Sequence, residues 1–550
     1  VVKIMDIKPL YMPNETITMN TYLEKCGVKN TTEYLKGGAK GIENCDNYDN
    51  MNKGYELIKN IIDIPNTSIM ILVDIDGDGY YSSAIMYKEL KKINEKFNIQ
   101  PLFHTKRIHG LNDTDVMNKI LKDNPSLVIC PDSATGDGEQ CKILNDNNIP
   151  VLILDHHFTK RKNNYAIVIN NKLSKNVINK AGSGGVVTWK FCKYIDQKLK
   201  INYAPKMIDL VWFSLLSDIC EMTTLENRAF AYWGSKNIKN KFLTAMCDKL
   251  LKDKEINNHN ISWYVQPKIS DIIRCEDNKI KKHLFYAIVD EKKADIDIIL
   301  NNYLKIHNHR KKYVQEYFNQ MDKIDDNNKI IFEQVDNLYT YYTGLVGSKI
   351  NNKYNKPCIL YKEPKDNFVT GSIRSPFPIK QQLKDSNLFD FVEGHDSACG
   401  CGFKNTKISS IKQFVKNIKL DKSKQVIQSF DANDRIPRGL FSIFDEYKDI
   451  WGQGIKEPEF YIYNIKINTN DIKQIGKNKT TIKFNYNGVD YIKFMVSHSD
   501  QETKWNIGTY NDIRVEIVGS LGLNEYYGRI SPQVVINDYE ANLVHKNPIS

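Results

Sequence analysis

Ser68-Ile69-Met70-Ile71-Leu72-Val73-Asp74-Ile75-Asp76-Gly77-Asp78-Gly79 is the stretch on which the fold turns. A short apolar run without alternation is the pattern of a strand covered on both faces, as in a parallel sheet. Two similar runs follow, Leu127-Val128-Ile129-Cys130 before Pro131-Asp132, and Val151-Leu152-Ile153-Leu154 before Asp155-His156-His157. Helix-compatible stretches, Ser82–Lys96 and Gly138–Asn145, lie between them. The alternation predicts an α/β fold with a buried parallel sheet and crossover helices. Ligands of such sheets sit beyond the carboxyl ends of the strands. Five carboxylates (Asp74, Asp76, Asp78, Asp132, Asp155) and two imidazoles (His156, His157) are therefore expected at one edge. Extended backbone would turn Asp74, Asp76 and Asp78 to one side, with Gly77 and Gly79 allowing a tight turn.

So many carboxylates cannot share a small volume without cations, because repulsion would force protonation or unfolding. Oxygen-rich donors with one or two imidazoles and no thiolate favour two Mn²⁺ or Mg²⁺ ions over structural zinc. A calcium loop is excluded, since the downstream Glu is absent.

Outward from this core, the apolar stretch Lys206–Leu216 predicts a helix ending in Ser217-Asp218. Helical spacing runs from about 235 to 330 and is clearest over Asp295–Met321, where His307 and Arg310 interrupt the apolar stripe. Short strands then return at Ile330–Val335, Leu338–Tyr342, Cys358–Tyr361 and Asn367–Ser372, opening a second α/β unit. Five strand-like segments near the end (Phe460–Ile467, Lys479–Tyr486, Val489–Val496, Ile513–Gly519, Gln533–Asp538) predict a small β-barrel. The expected domains are 1–234 (parallel sheet with an N-terminal extension), 235–330 (helical connector), 331–430 (second α/β unit), 431–455 (linker with a short helix) and 456–550 (barrel). This accords with 550 residues at roughly 100–200 per domain.

The chain carries 77 Lys/Arg and 66 Asp/Glu, a net charge of +11. Residues 336–430 hold 15 basic and 8 acidic residues, whereas 456–550 hold 11 of each. A basic second unit is compatible with an anionic partner. Eleven scattered cysteines fit a reduced, cytoplasmic protein, and Cys399 and Cys401 read as small packing residues. No apolar stretch approaches the ~20 residues of a membrane span, so no membrane partner is expected. No secretory signal pattern is visible.

Asp74-Ile75-Asp76-Gly77-Asp78-Gly79, Asp132, Asp155-His156-His157 and Ser217-Asp218 together resemble the four motifs of the DHH phosphoesterase superfamily. Glu226-Asn227-Arg228 follows as in RecJ exonucleases. Thr343-Gly344-Leu345-Val346-Gly347-Ser348-Lys349, Gly371-Ser372-Ile373-Arg374-Ser375 and Glu393-Gly394-His395-Asp396 resemble signatures of the DHH-associated domain. The tail, including Leu523-Asn524-Glu525-Tyr526-Tyr527-Gly528, is similar to the RecJ oligonucleotide-binding (OB) barrel. Two departures stand out. Glu393 replaces the first glycine of a Gly-Gly-His motif, and Pro-Asp-Ser-Ala-Thr-Gly replaces the commoner Asp-Asn-Gly pattern in the second motif.

The resemblance implies a single-stranded-DNA exonuclease, working 5′ to 3′ with two Mn²⁺ or Mg²⁺ ions in DNA repair, recombination or replication. Its hydrolysis is in-line attack by a water of lowered pKa, releasing 5′-mononucleotides. It makes Asp76, Asp78, Asp132, His156 and Asp218 metal ligands, Asp132 being the bridge. Asp74 is a ligand or a base behind one, and Asp155 orients His156. His157 and His395 face the scissile phosphate. Ser372, Arg374, Gly394 and His395 bind substrate, joined by Arg107 beside His109 and by Arg310 on the long helix. The basic second unit would face the metal cleft and track the phosphate backbone, while barrel aromatics (Phe484, Tyr486, Tyr491, Phe494, Trp505, Tyr510, Tyr526, Tyr527) divide between core and base stacking. A monomer is expected, with a single-stranded-DNA-binding protein or a helicase as further partner. The rival readings are an oligoribonuclease or cyclic-dinucleotide phosphodiesterase of the same superfamily, which usually lack the barrel, and a non-catalytic replication scaffold, which loses the carboxylates.

Overall fold

The computed structural model describes residues 5–12, 15–105, 108–252, 254–275, 277–289, 295–321, 324–339, 342–421, 423–526 and 528–544, with backbone alone at His395 and Tyr526. The chain divides into two compact units, one of residues 1–10 with 305–426 and one of 11–304 with 427–550.

The larger unit is built on five parallel strands, β1 (Ser68–Val73), β2 (Asn98–Phe103), β3 (Leu127–Pro131), β4 (Val151–Asp155) and β5 (Ile167–Asn170), in the order β2-β1-β3-β4-β5. The three apolar runs form the central strands, and β3 and β4 are buried at every residue. The two edge strands are the ones that the apolar runs did not announce. β2 contains Pro101, which an edge tolerates because one of its sides needs no N–H. β5 has only four residues.

Three helices carry site residues, α1 (Gly77–Ile93), α2 (Gly184–Leu199) and α3 (Ile208–Ser217). α1 starts five residues before the expected Ser82, because the Asp76 carboxylate caps it by accepting the Gly79 N–H at 3.0 Å. Asp76 and Asp78 therefore converge through a strand-to-helix turn and not through extended backbone.

The same unit holds a seven-stranded, mostly antiparallel sheet, including Phe460–Asn468, Thr481–Tyr486, Val489–Lys493, Asp512–Tyr526 and Arg529–Leu543. Phe484, Tyr491 and Trp505 are buried in it, whereas Phe494 and Tyr510 are exposed. Residues 431–455 contain the helix Arg438–Glu446 and bury Phe441, Phe444, Ile450 and Ile455. Phe444 and Trp451 meet the Tyr22 ring edge-on, and the Tyr22 hydroxyl donates to the Lys456 carbonyl at 2.6 Å.

The smaller unit pairs two parallel strands, β6 (Ile331–Gln334) and β7 (Cys358–Tyr361), with antiparallel β8 (Phe368–Arg374), β9 (Phe391–His395) and β10 (Ala398–Lys404), in the order β9-β10-β8-β7-β6. The strand expected at Leu338–Tyr342 does not form in its described part. Asn337 takes a left-handed turn, and Leu338 plugs the core. Ile7–Pro9 pairs in parallel with Lys424–Val426. The long helix spans Ile296–Gln320. All eleven cysteines are free, with Cys399 and Cys401 buried. No helix among the described residues is long and apolar enough to cross a membrane.

Candidate metal centre

β1 lies between β2 and β3, so the strand order reverses beside it, and a crevice opens there at the carboxyl ends. Asp74 leaves β1 and Asp132 leaves β3 on either side of that crevice. Asp132 sits at φ +64 and Ala134 at φ +75, a left-handed turn that L-residues resist. The turn aims the Asp132 carboxylate inward, where both oxygens are buried and accept no hydrogen bond from the described residues. The His156 Nε2 lies 3.1 Å from Asp132 Oδ1 and 3.7 Å from Asp78 Oδ2, and its Nδ1 lies 3.8 Å from Asp218.

Asp78, in the first turn of α1, accepts the N–H groups of Gly184 (2.7 Å) and Gly185 (3.0 Å) at the start of α2, and the Ser214 hydroxyl from α3. The positive end of α2 thus steadies a carboxylate that leans on its neighbours. A Cβ at Gly184 would come within 2.6 Å of the Asp132 side chain, and one at Gly77 within 2.1 Å of Ser217 Oγ. Both positions demand glycine for close approach.

Asp74 accepts His109 Nδ1 at 2.6 Å and the Gly110 N–H at 3.3 Å. His104, at the end of β2, is buried between Asp74 (3.6 Å) and Asp113 (3.2 Å). Asp155 is saturated. One oxygen accepts the Thr135 hydroxyl at 2.6 Å and the Thr135 N–H at 3.2 Å. The other takes the backbone N–H groups of His156 and His157 and the His157 Nδ1 at 2.8 Å. The ring that Asp155 orients is therefore that of His157. It holds His156, the partner expected from sequence, only through the main chain.

Among the described residues, three sets of donor atoms lie mutually within 4.8 Å: Asp74, Asp76 and Asp132; Asp78, His156 and Asp218; and Asp132, Asp155, His156 and His157. Burial first, and neighbouring carboxylates second, push the pKa values of Asp76, Asp78 and Asp132 upward. Burial, with His157 beside it, pulls His156 down to about 4 against the pull of Asp218, leaving a neutral ring with a lone pair to give. Burial also works against charge on His157, but the Asp155 hydrogen bond and carboxylate outweigh it and raise that pKa to about 9. An acid cluster that resists ionisation, a buried bidentate acceptor with no donor, and a neutral imidazole form a donor set that fits divalent cations of the Mn²⁺ and Mg²⁺ class.

Of the remaining sequence candidates, Arg310, Ser372, Arg374, Gly394 and His395 lie in the smaller unit. Register places Arg374 and His395 in one row across β10, both opposite Ala398. Ser372 faces Gly400, and Gly394 adopts φ +116. The Arg374 guanidinium donates to the Ile373 carbonyl at 2.7 Å and makes no ion pair among the described residues. A Cβ on Gly344 would meet it at 2.2 Å. Arg310 contacts His307 Nδ1 at 3.0 Å, one helical turn away. Arg107 and the His395 side chain lie outside the described residues. Sequence reasoning missed Ser183-Gly184-Gly185, Ser214, His104 and Thr135. Two glycines directly before a helix were the available signal for the first of these.

The DHH family N-terminal domain matches residues 68–214, and the RecJ OB domain matches 441–538. YorK of Bacillus subtilis, an SPbeta prophage-derived chain assigned by name to the single-strand DNA-specific exonucleases, is 28% identical over 94% of this chain and 95% of its own. The single-stranded-DNA-specific exonuclease RecJ of Bacillus subtilis is 21% identical over 86% of this chain and 61% of its own. Among solved structures, RecJ of Thermus thermophilus in complex with Mn²⁺ superposes with a TM-score of 0.68 at 16% identity, covering 99% of this chain and 79% of that one. Its complex with Mg²⁺ gives 0.64 at 15%, covering 99% and 78%. At these identities the likeness to both is one of fold. The chain is a RecJ-like protein, with a DHH family N-terminal domain and a RecJ OB domain.

Proposed function

We propose that the chain is a divalent-metal-dependent exonuclease that hydrolyses single-stranded DNA from the 5′ end to 5′-mononucleotides. The observation that carries the reading is the Asp132 carboxylate, buried at a left-handed turn with neither oxygen hydrogen-bonded among the described residues and flanked by the other donors. Asp74, Asp76, Asp78, Asp132, His156 and Asp218 would hold two cations, Asp132 being shared between them. When bound, such ions lower the pKa of a water and neutralise phosphate charge. The chain's own residues do the rest. Gly184, Gly185 and Ser214 fix Asp78, and His104, His109 and Gly110 fix Asp74. His157, held protonated by Asp155, presents its free Nε2–H to the charge that grows on the phosphate. Arg374, with no carboxylate partner among the described residues, suits a terminal phosphate and its fork of acceptors, with Ser372, Gly394 and His395 on the same strands. Arg107 and Arg310 are proposed as further phosphate contacts. The OB domain suits binding to single strands, with exposed Phe494 and Tyr510 available for stacking. Processive action beside a single-stranded-DNA-binding protein or a helicase belongs to this reading.

The test is a Mn²⁺- and Mg²⁺-dependent digestion of single-stranded DNA labelled at either end, run beside short RNA and cyclic dinucleotides. Mononucleotide released at once from the 5′ label and late from the 3′ label is expected. Asp132→Ala should lower turnover at least about a thousandfold while strand binding persists. Unchanged cleavage by that variant would reject the assignment, and preference for short RNA would move the activity to the oligoribonuclease class.

A further inference from the structure

The basic second unit is not the only concentration of positive charge. From His156 to Ile195 the sequence contains eight Lys/Arg and no Asp or Glu, against a net +11 for the whole chain. Three of these cations are used internally. Lys190 pairs with Glu226, Lys180 donates to the carbonyls of Asn171 and Ser174, and Lys193 contacts Asn202 at 3.4 Å. The other five, Lys160, Arg161, Lys162, Lys172 and Lys175, are exposed and make no ion pair among the described residues.

These five follow the carboxyl ends of β4 and β5, the edge that carries His156 and His157. Lys172 is near enough for its charge to act on His156. The segment between the strands is held in place. The His157 carbonyl accepts Asn170 Nδ2 at 3.0 Å, the Arg161 N–H bonds Thr159 Oγ1 at 3.1 Å, and Asn163 reaches Cys141 Sγ at 3.3 Å. Phe158, directly after the histidine pair, is 65% exposed, and Tyr165 is 41% exposed. A large aromatic ring anchored in solvent at the rim of a polar centre has no packing role. Beside a run of unpaired cations it has the chemistry of a base-stacking platform next to a phosphate track.

We propose that the segment Phe158–Lys175 is a single-stranded-DNA contact at the lip of the metal centre, with Phe158 stacking a base and Lys160, Arg161, Lys162, Lys172 and Lys175 following the phosphates. It deepens the nuclease reading and rests on it. The contact uses only residues of the larger unit.

The test measures binding of a fluorescent oligo-dT by the full-length chain carrying Asp132→Asn, across a salt titration. Each lost phosphate contact to a single strand lowers the slope of log affinity against log salt by about 0.7. The triple change Lys160→Gln, Arg161→Gln, Lys162→Gln should lower it by about 2. Phe158→Ala should weaken binding about tenfold without altering the slope, and Phe158→Trp should restore it. The thermal midpoint and the far-ultraviolet circular dichroism report whether each variant is folded. If the triple variant is not, Lys172→Gln with Lys175→Gln should by itself lower the slope by about 1.4. Unchanged slope and affinity in the folded variants overturn the proposal, as does an acidic polypeptide competing as well as oligo-dT. A parent chain that binds no oligo-dT defeats the nuclease reading itself, whereas a parent that binds and variants that match it defeat only the rim.

Discussion

At the scale of single residues, the turn after β3 joins strain to function. Ala134 stands where the family pattern prefers glycine, and it sits at φ +75. A left-handed non-glycine residue costs roughly 1–2 kcal/mol, part of which the extra chain entropy of glycine takes back. Ala134→Gly is expected to stabilise the fold by up to about 1 kcal/mol, read from chemical denaturation, with Asp132 kept in place. Asp155 and His157 allow a sharper measurement. Because the folded pKa of His157 is raised to about 9, the ring contributes stability that is fully present below its ordinary value near 6.5 and is lost as pH rises through the raised one. In metal-free protein the His157 ring resonances should titrate near pH 9, and Asp155→Asn should move that titration down toward the ordinary value. A titration that stays put would remove Asp155 as the cause.

At the scale of elements, the site is a meeting of ends: three strand termini, one helix start that gives N–H groups, and a helix that gives a hydroxyl. Gly184 belongs to this scale because its role is absence. Gly184→Ala would press a methyl group into Asp132, already 2.6 Å from that position. The expected result is a loss of roughly 1–3 kcal/mol from overpacking and at least a tenfold weaker Mn²⁺ affinity, measured by calorimetry on the folded variant. What could be read in advance follows from the same division. β1, β3 and β4 were legible because burial on both faces writes itself as an unbroken apolar run, and their terminal acids were legible because carboxylates so placed have few structural uses. β2 and β5 were not, because edge strands are half solvated and carry Pro101 or end after four residues. Leu338 read as part of a strand, since one buried leucine beside tyrosines looks alike in a strand and in a core-plugging turn. Ser214 and Gly184 left no chemical signature. They act through tertiary contact on Asp78, over a hundred positions away. The ring that Asp155 holds was misassigned because both histidines follow it and only the turn decides which Nδ1 comes back.

At the scale of the whole molecule, one buried acid bears on stability at large. Glu89 of α1 is fully buried and lies beside Asp196 of α2. Burial, then the Asp196 charge, raises its pKa to about 8. Its contribution is complete below the ordinary value near 4.3 and is lost as pH rises through about 8, at up to about 1.4 kcal/mol per pH unit. The melting temperature of the metal-free chain should fall as pH rises from the ordinary carboxylate range to about 8 and level off above it, and Glu89→Gln should flatten that fall. A wild-type curve as flat as the variant's would contradict it. The pairing of Ile7–Pro9 with Lys424–Val426 has a consequence of a different kind. A ribosome making this protein completes the first strand long before its neighbour exists. At typical elongation rates the interval is on the order of half a minute, during which the nascent segment offers bare amide groups to any passing chain. Premature termination short of Lys424 would make that exposure permanent, and such fragments would be the ones to burden the cell's chaperones.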